Sequence, residues 1–281
     1  MTVGVVGLGL IGGSLAKAIK YNTDNTVIGY DIDENVILKA KLLGAIDEEM
    51  TEQKISECDI IITGLYPEAT KKYITENAKK FKKGAIVLDT CGVKTYVCED
   101  MYRVAKENGF TFVGAHPMAG LHLSGFEHSK VTMFSNASML LVPSPDTGIN
   151  ELDTVRKLFS KIGFTNIQNT TPEEHDRIIA FTSQLAHVVS NAYVKSPSAK
   201  LHKGFSAGSY RDLTRVAKLN EVMWTELFLE NRENLAFEVD TIIENLKQYS
   251  KALKENDAGT LEKLLRDGRI CKEQIDGEYE D

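Results

Sequence analysis

Short apolar runs alternate with longer amphipathic stretches from the amino terminus to about Gln168. Thr2 to Val6, Val27 to Tyr30, Ile60 to Thr63 and Ala85 to Leu88 are compact runs rich in β-branched residues, which predicts strands. Further strands are predicted at Thr111 to Gly114, Met139 to Val142 and near Phe164 to Gln168. Ser14 to Lys20, Glu68 to Phe81 and Ile149 to Ile162 are predicted to be helical. Strands that alternate with helices imply parallel pairing, so the predicted fold class is α/β, a Rossmann-type doubly wound and mainly parallel sheet.

The pattern changes at Thr171-Pro172-Glu173-Glu174, where Thr171 suits an N-cap, Pro172 the first helical turn and Glu174 the far side of a capping box. Beyond it, Ile178 to Val194, Ser209 to Lys218, Glu221 to Leu253 and Thr260 to Arg269 place apolar residues at three- and four-residue spacing, with almost no strand signal. Two domains are therefore expected, a sheet domain over 1–169 and an all-helical domain over 170–281. Along Glu221 to Leu253, Val222, Leu227, Phe228, Leu235, Phe237, Val239, Ile242, Ile243 and Leu246 are spread widely around the helix axis. That is more apolar surface than one small domain buries, which predicts a homodimer. The acidic end, Asp276 to Asp281, is expected to fray.

Composition narrows the function. With 281 residues, 42% hydrophobic and 26% charged, the chain is of ordinary globular make-up. Its net charge of −7 argues against nucleic acid as a partner. The apolar amino terminus lacks a basic leading segment and is broken by Gly4, Gly7, Gly9, Gly12 and Gly13, unlike a signal peptide. No stretch approaches the roughly 18 apolar residues of a membrane span, so no membrane association and a cytoplasmic location are expected. The four cysteines form neither a metal-type pair nor a disulfide framework, which predicts a reducing compartment and no structural metal.

Gly7-Leu8-Gly9-Leu10-Ile11-Gly12 is a G-x-G-x-x-G that follows a predicted strand, opens a predicted helix and precedes a second strand ending at Asp31. In that context Gly7 permits the tight turn, Gly9 lets a pyrophosphate approach the backbone, and Gly12 lets helix pack on strand. The helix amino terminus offers N–H groups to phosphates. A carboxylate at Asp31 can accept from both ribose hydroxyls and would repel a 2′-phosphate, so the cofactor read here is NAD. Asp33 is read as a solvated neighbour.

His116-Pro117-Met118-Ala119-Gly120 follows the predicted strand Thr111 to Gly114, at the carboxyl edge where open parallel sheets bind ligands. A neutral imidazole there can accept a proton near pH 7. Arg211 and Arg215 lie four residues apart, on one face if helical, and are either a carboxylate clamp or a solvated pair. His187, on an otherwise apolar segment, is a core histidine or a ligand-facing one. Trp224 is a core anchor or a pocket wall.

Several of these motifs occur in an order that resembles the prephenate and arogenate dehydrogenase family. They are Gly7 to Gly13, Asp89-Thr90-Cys91-Gly92-Val93-Lys94, His116 to Gly120 with Ser124-Gly125, Ser183-Gln184-Leu185-Ala186-His187, Arg211-Asp212-Leu213-Thr214-Arg215, and Trp224. The resemblance implies NAD-dependent oxidative decarboxylation of prephenate to 4-hydroxyphenylpyruvate, on the path to tyrosine, by a homodimer formed through the helical domain. It implies His116 as catalytic base, with His187, Arg215, Arg211 and Trp224 on the substrate. Arogenate is the alternative substrate. Another small-acid dehydrogenase and a non-catalytic NAD-binding regulator are the other readings.

Two positions depart from the family pattern. Many members have serine at the position of Gly92, where it is thought to bond the catalytic histidine and the substrate hydroxyl. Here water, Cys91 or backbone is expected to orient His116 instead. His122 stands where some relatives have glutamate, and with Ser124 is a candidate for the pocket mouth. Lys94 is read as a surface lysine, with cofactor or substrate as its alternative partner.

Overall fold

The computed structural model describes residues 1–121 and 123–277. The sheet half runs β1 (Thr2–Val6), α1 (Leu10–Asn22), β2 (Thr26–Tyr30), α2 (Glu34–Leu42), β3 (Glu48–Glu49), β4 (Ile60–Thr63), α3 (Pro67–Asn77), β5 (Ile86–Asp89), α4 (Thr95–Asn108), β6 (Thr111–Met118), β7 (Ser138–Pro143), α5 (Ile149–Lys161) and β8 (Asn166–Asn169). Its strands form one sheet in the order β3-β2-β1-β4-β5-β6-β7-β8. The first six are parallel, and the order reverses between β1 and β4, the crevice where such sheets bind dinucleotides.

Apolar residues on successive strand positions serve both faces. Val3, Val5, Ile60, Ile62, Leu88 and Val113 pack on one side with Leu15, Ile19 and Phe159. Ile28, Ile61, Val87 and Phe112 pack on the other with Ile74, Val97 and Met101. A strand covered on both faces has no polar alternation, which is why these runs read as continuous apolar stretches.

The sheet departs from pure parallel winding at one join. β7 runs antiparallel to β6, and β8 then runs parallel to β7. Among its described residues the link from β6 to β7 contains one 3-10 turn, Phe126–His128, and no crossover helix, and β7 returns antiparallel. Pairing with β7 also extends β6 past the predicted end at Gly114, setting His116 opposite Leu140 and Met118 opposite Ser138. His116 thus sits on a paired strand rather than in the loop beyond it. β3, an edge strand of two glutamates, has no apolar signal and was not predicted.

The helical half comprises α6 (Pro172–Ile179), a π-helical segment (Ala180–Leu185), α7 (Ala186–Tyr193), α8 (Gly208–Thr214), α9 (Glu221–Glu230), α10 (Arg232–Lys254) and α11 (Ala258–Ile275). Thr171 caps α6 by accepting from the Glu174 N–H at 3.2 Å, as its sequence suggests. The Glu174 carboxylate accepts from the Thr170 hydroxyl at 2.8 Å, so the reciprocal half of the box is taken by a neighbour. The predicted helical stretch Glu221 to Leu253 is broken at the buried Asn231.

By compactness the chain divides into Met1–Arg232 and Glu233–Asp281. Thr171 therefore marks a change of secondary structure rather than a break in packing, because α6 is tied to the sheet half. Asp176 accepts from the backbone N–H groups of Lys94 at 2.7 Å and Thr95 at 2.8 Å. In the second unit, Phe237, Leu246, Leu253, Leu265 and Ile275 are all more than half exposed. Among the described residues no helix is long and apolar enough to cross a membrane. His122 and the last four residues of the acidic tail lie outside the described residues.

Glu230, at the end of α9, is half-buried with a buried Oε2 that has no hydrogen-bond partner. Burial first, and then the Glu226 and Glu68 carboxylates, push its carboxyl up to about 8 from 4.5. The unfolded chain releases this proton near pH 4.5 and the folded protein only near 8, so stability falls as pH rises between those values. Glu230→Gln is expected to stabilise the protein at pH 8 by about 1 kcal/mol after allowance for solvent screening, and not at pH 4. Urea unfolding of both proteins at the two pH values measures this; an equal effect at both would contradict it.

Candidate active site

The turn after β1 has the shape that its glycines imply. Gly7 has φ +83 and its N–H donates to the Tyr30 carbonyl at 2.7 Å. A Cβ on Gly12 would stand 1.8 Å from the Gly7 carbonyl oxygen, so only glycine lets α1 start so close to β1. A Cβ on Gly9 would meet no protein atom within 4 Å, which leaves open space over the backbone. No side chain caps α1 at Gly9, and the first-turn N–H groups of a helix have no partner within it. Leu8 is fully buried beneath the turn, while Leu10 and Ile11 are half-buried.

Asp31 closes this turn. Its Oδ2 accepts from the Leu8 N–H at 2.7 Å and its Oδ1 from the Asp33 N–H at 3.0 Å. Each oxygen keeps a lone pair, so the carboxylate is held in place and can still accept from a ribose. The open Gly9 face, the uncapped helix end and the fixed carboxylate fit a dinucleotide without a 2′-phosphate. Asp33 is more than a solvated neighbour: it caps α2 by accepting from the Asn35 N–H at 2.9 Å.

His116, half-buried on β6, is bound through Nδ1 to Nε2 of His175 at 2.9 Å. His175 Nδ1 donates to Asp176 Oδ1 at 2.8 Å. Burial works to raise the Asp176 carboxyl, but bonds from His175 and Thr95 outweigh it and hold the group below the usual range, hence ionised. Burial lowers His175, and Asp176 offsets only part of that. His116 lies well below 6.5, through burial first and then the nearby charges of His175 and Lys94. Both imidazoles are therefore neutral at pH 7.

The other ring nitrogen of His116, Nε2, faces Gly92. A Cβ on Gly92 would stand 3.9 Å from that nitrogen and 3.5 and 3.6 Å from the Leu227 methyl carbons, all ordinary contact distances. Orientation of His116 comes from His175, which holds its Nδ1. Cys91 points elsewhere, with its sulfur 3.6 Å from the Leu65 carbonyl oxygen and 3.5 Å from the Thr70 hydroxyl.

Lys94 is no surface lysine. It is 0% exposed, pairs with Asp89 and donates to the Ala115 carbonyl at 2.7 Å. Burial would lower its pKa, but Asp89 outweighs that and raises it, so the ammonium stays charged. Asp89 Oδ1 also accepts from the Ala115 N–H at 3.0 Å. The pair thereby grips both sides of the residue next to His116.

The helical wall is built on α7 and α9. His187 stacks on Trp224 with ring centroids 3.8 Å apart and 30° between planes, and Trp224 lies 5.3 Å from Phe228. His187 Nδ1 donates to the Ser183 carbonyl at 2.9 Å, a tautomer required by the acceptor. Burial, assisted by the charge of Arg215, lowers this imidazole below 6.5. Arg215, at the start of a 3-10 turn after α8, is the guanidinium that bears on His187; both it and Arg211 are exposed. α9 joins the wall to the histidine pair, since Leu227 faces Gly92 and its carbonyl accepts from Gln184 Nε2 at 3.2 Å.

The π segment between α6 and α7 sets which way His187 faces. In an unbroken α-helix, at about 100° per residue, His175 and His187 would lie about 120° apart around the axis. The extra residue absorbed by a π segment brings them within about 20°. Asn231 braces the segment by donating to Gln184 Oε1 at 2.9 Å and the Asp176 carbonyl at 2.8 Å.

His175 and Asp176 were not among the predicted site residues. Their sequence signal, a His-Asp pair one turn past the Thr171 cap, reads equally well as the polar face of an amphipathic helix.

Residues 15–167 match the family model described as the prephenate dehydrogenase nucleotide-binding domain, and 171–267 the model described as the prephenate dehydrogenase dimerization domain. Prephenate dehydrogenase of Bacillus subtilis is 30% identical over 98% of this chain and 76% of its own length. Among solved structures, prephenate dehydrogenase from A. aeolicus in complex with hydroxyphenyl propionate and NAD+ superposes with a TM-score of 0.86 at 27% identity, covering 98% of each chain. Synechocystis arogenate dehydrogenase superposes at 0.82 with 25% identity, covering 98% of this chain and 100% of that one. Both halves of the chain match in order over almost its full length, and the chain belongs to the prephenate dehydrogenase family.

Proposed function

We propose that this protein is an NAD-dependent prephenate dehydrogenase, which converts prephenate to 4-hydroxyphenylpyruvate and CO2 with formation of NADH, in tyrosine biosynthesis. The observation that carries this reading is His116 Nε2. It belongs to a neutral imidazole, held through its other nitrogen, at the carboxyl edge of the sheet that bears the dinucleotide-shaped turn. NAD is supported by the open Gly9 face, by Asp31 and by the NAD+ in the A. aeolicus relative. When bound, NAD+ supplies the hydride acceptor.

The chain's own residues do the rest. His116 Nε2 takes the proton of the ring hydroxyl as the carbon beneath it gives up hydride. The bond to the ring carboxylate then breaks, CO2 leaves, and its electron pair completes the aromatic ring. The resulting oxygen recovers the proton from His116, so no net proton is released. Arg215 supplies a two-donor fork for a substrate carboxylate, with Arg211 a turn away. The stacked His187 and Trp224 flank the substrate side chain.

One observation favours arogenate as a second substrate. His187 is neutral and its Nδ1–H is engaged by Ser183, which leaves Nε2 as an acceptor suited to an ammonium group. The exposed apolar residues of α10 and α11 support assembly as a homodimer through the region that matches the dimerization model. We take 1–169 as the NAD-binding region and 170–281 as the region for substrate and dimerisation.

NADH formation followed with NAD+ or NADP+, offering prephenate and arogenate separately, tests the reaction. The expected result is turnover of prephenate with NAD+ that falls about 1,000-fold in His116→Asn, and no turnover of either substrate would overturn the assignment. Because the His116 pKa lies below 6.5 and the unprotonated form is active, kcat/KM should hold its plateau through pH 6.5 and decline only at lower pH. Arg215→Ala should raise the KM for prephenate at least about 10-fold while leaving NAD+ affinity unchanged; a change confined to NAD+ would remove Arg215 from the substrate.

A further inference from the structure

Asp176, His175 and His116 form a chain in which each hydrogen bond has only one possible direction. Asp176 is ionised, so its Oδ1 only accepts and His175 Nδ1 must carry the proton at that 2.8 Å contact. A neutral His175 then presents Nε2 as a lone pair. The 2.9 Å contact therefore requires the proton to be on His116 Nδ1, and His116 Nε2 is left bare. We propose that Asp176 and His175 are positioning residues that set the tautomer of His116, so that the nitrogen facing Gly92 is the one able to take a proton. The proposal rests on His116 as the base of the reaction above.

Asp176 is itself held firmly. Its Oδ1 accepts from the Lys94 N–H and its Oδ2 from the Thr95 N–H, at the amino terminus of α4. Helix-end amides favour a carboxylate and can be satisfied only by an acceptor. Oδ1 serves both the Lys94 N–H and His175, so the direction of the chain is best separated from its presence by substitution at 175. In His175→Gln the amide nitrogen can face Asp176 while Oε1 still accepts from His116 Nδ1–H, so the relay keeps its direction. His175→Leu breaks it with a side chain that cannot bond at all.

The test combines steady-state kinetics with 15N NMR of histidine-labelled full-length protein, which reports directly which ring nitrogen bears the proton. NAD+ affinity and the thermal midpoint serve as controls for folding. In the wild type the His116 proton is expected on Nδ1 with Nε2 bare, and His175→Leu is expected to lower kcat at least about 100-fold with little change in KM or NAD+ affinity. His175→Gln should stay within about 10-fold of wild type and clearly exceed His175→Leu. The proposal is overturned if wild-type His116 carries its proton on Nε2, or if Gln and Leu at 175 lose equally. Should His175→Leu fail to fold, the wild-type tautomer still decides. A wild type inactive on both prephenate and arogenate would defeat the assigned reaction, whereas the NMR signal tests the relay independently of turnover.

Discussion

Lys94 and Asp89 face each other with no exposed side-chain surface on either. Removing two charges from water costs several kcal/mol per ion, and their attraction offsets this only when the remaining donors and acceptors are also satisfied. Here they are satisfied by backbone. Asp89 accepts from the N–H groups of Cys91 and Ala115, and Lys94 donates to the Ala115 carbonyl. The demand of a buried pair for partners thus fixes the segment after β5 that holds Gly92 and the stretch of β6 that holds His116. Loss of either charge would leave the other unpaired, a cost of about 3–5 kcal/mol that would fall on the site itself.

A second buried charge extends this arrangement into the helical half. Asp176 supplies an acceptor for the Lys94 and Thr95 N–H groups at the amino terminus of α4, where Lys94 makes no side-chain cap. The same carboxylate binds His175. Stability and chemistry are therefore coupled at one group, and the sheet and α6 pack as one compact unit. The π segment that follows changes the helical phase and so decides which side chains of α7 turn with His175.

Much of the fold was legible because its signals are local. Strands β1, β2, β4 and β5 are short apolar runs, and the glycine turn with Asp31 is a spacing rule set by one strand-turn-helix unit. The Thr171 cap was likewise readable from four residues. What was misread depended on partners distant in the chain. β6 was cut short because its last residues are ordered by pairing with β7. Lys94 was assigned to the surface because, although its partner Asp89 is near in sequence, the burial that makes the pair necessary comes from β6, whose Ala115 carbonyl accepts from it 21 residues on.

The family, the parallel winding, the cofactor turn and a histidine at the carboxyl edge of the sheet follow from the sequence by itself, since periodicity and fixed spacings are properties of neighbouring residues. Tertiary structure alone decided what surrounds that histidine. His175 lies 59 residues from His116 in the chain, and Asp176 82 from Lys94. A side chain's partner at such separation is chosen by packing and by the need to satisfy buried charge, neither of which leaves a local pattern to read.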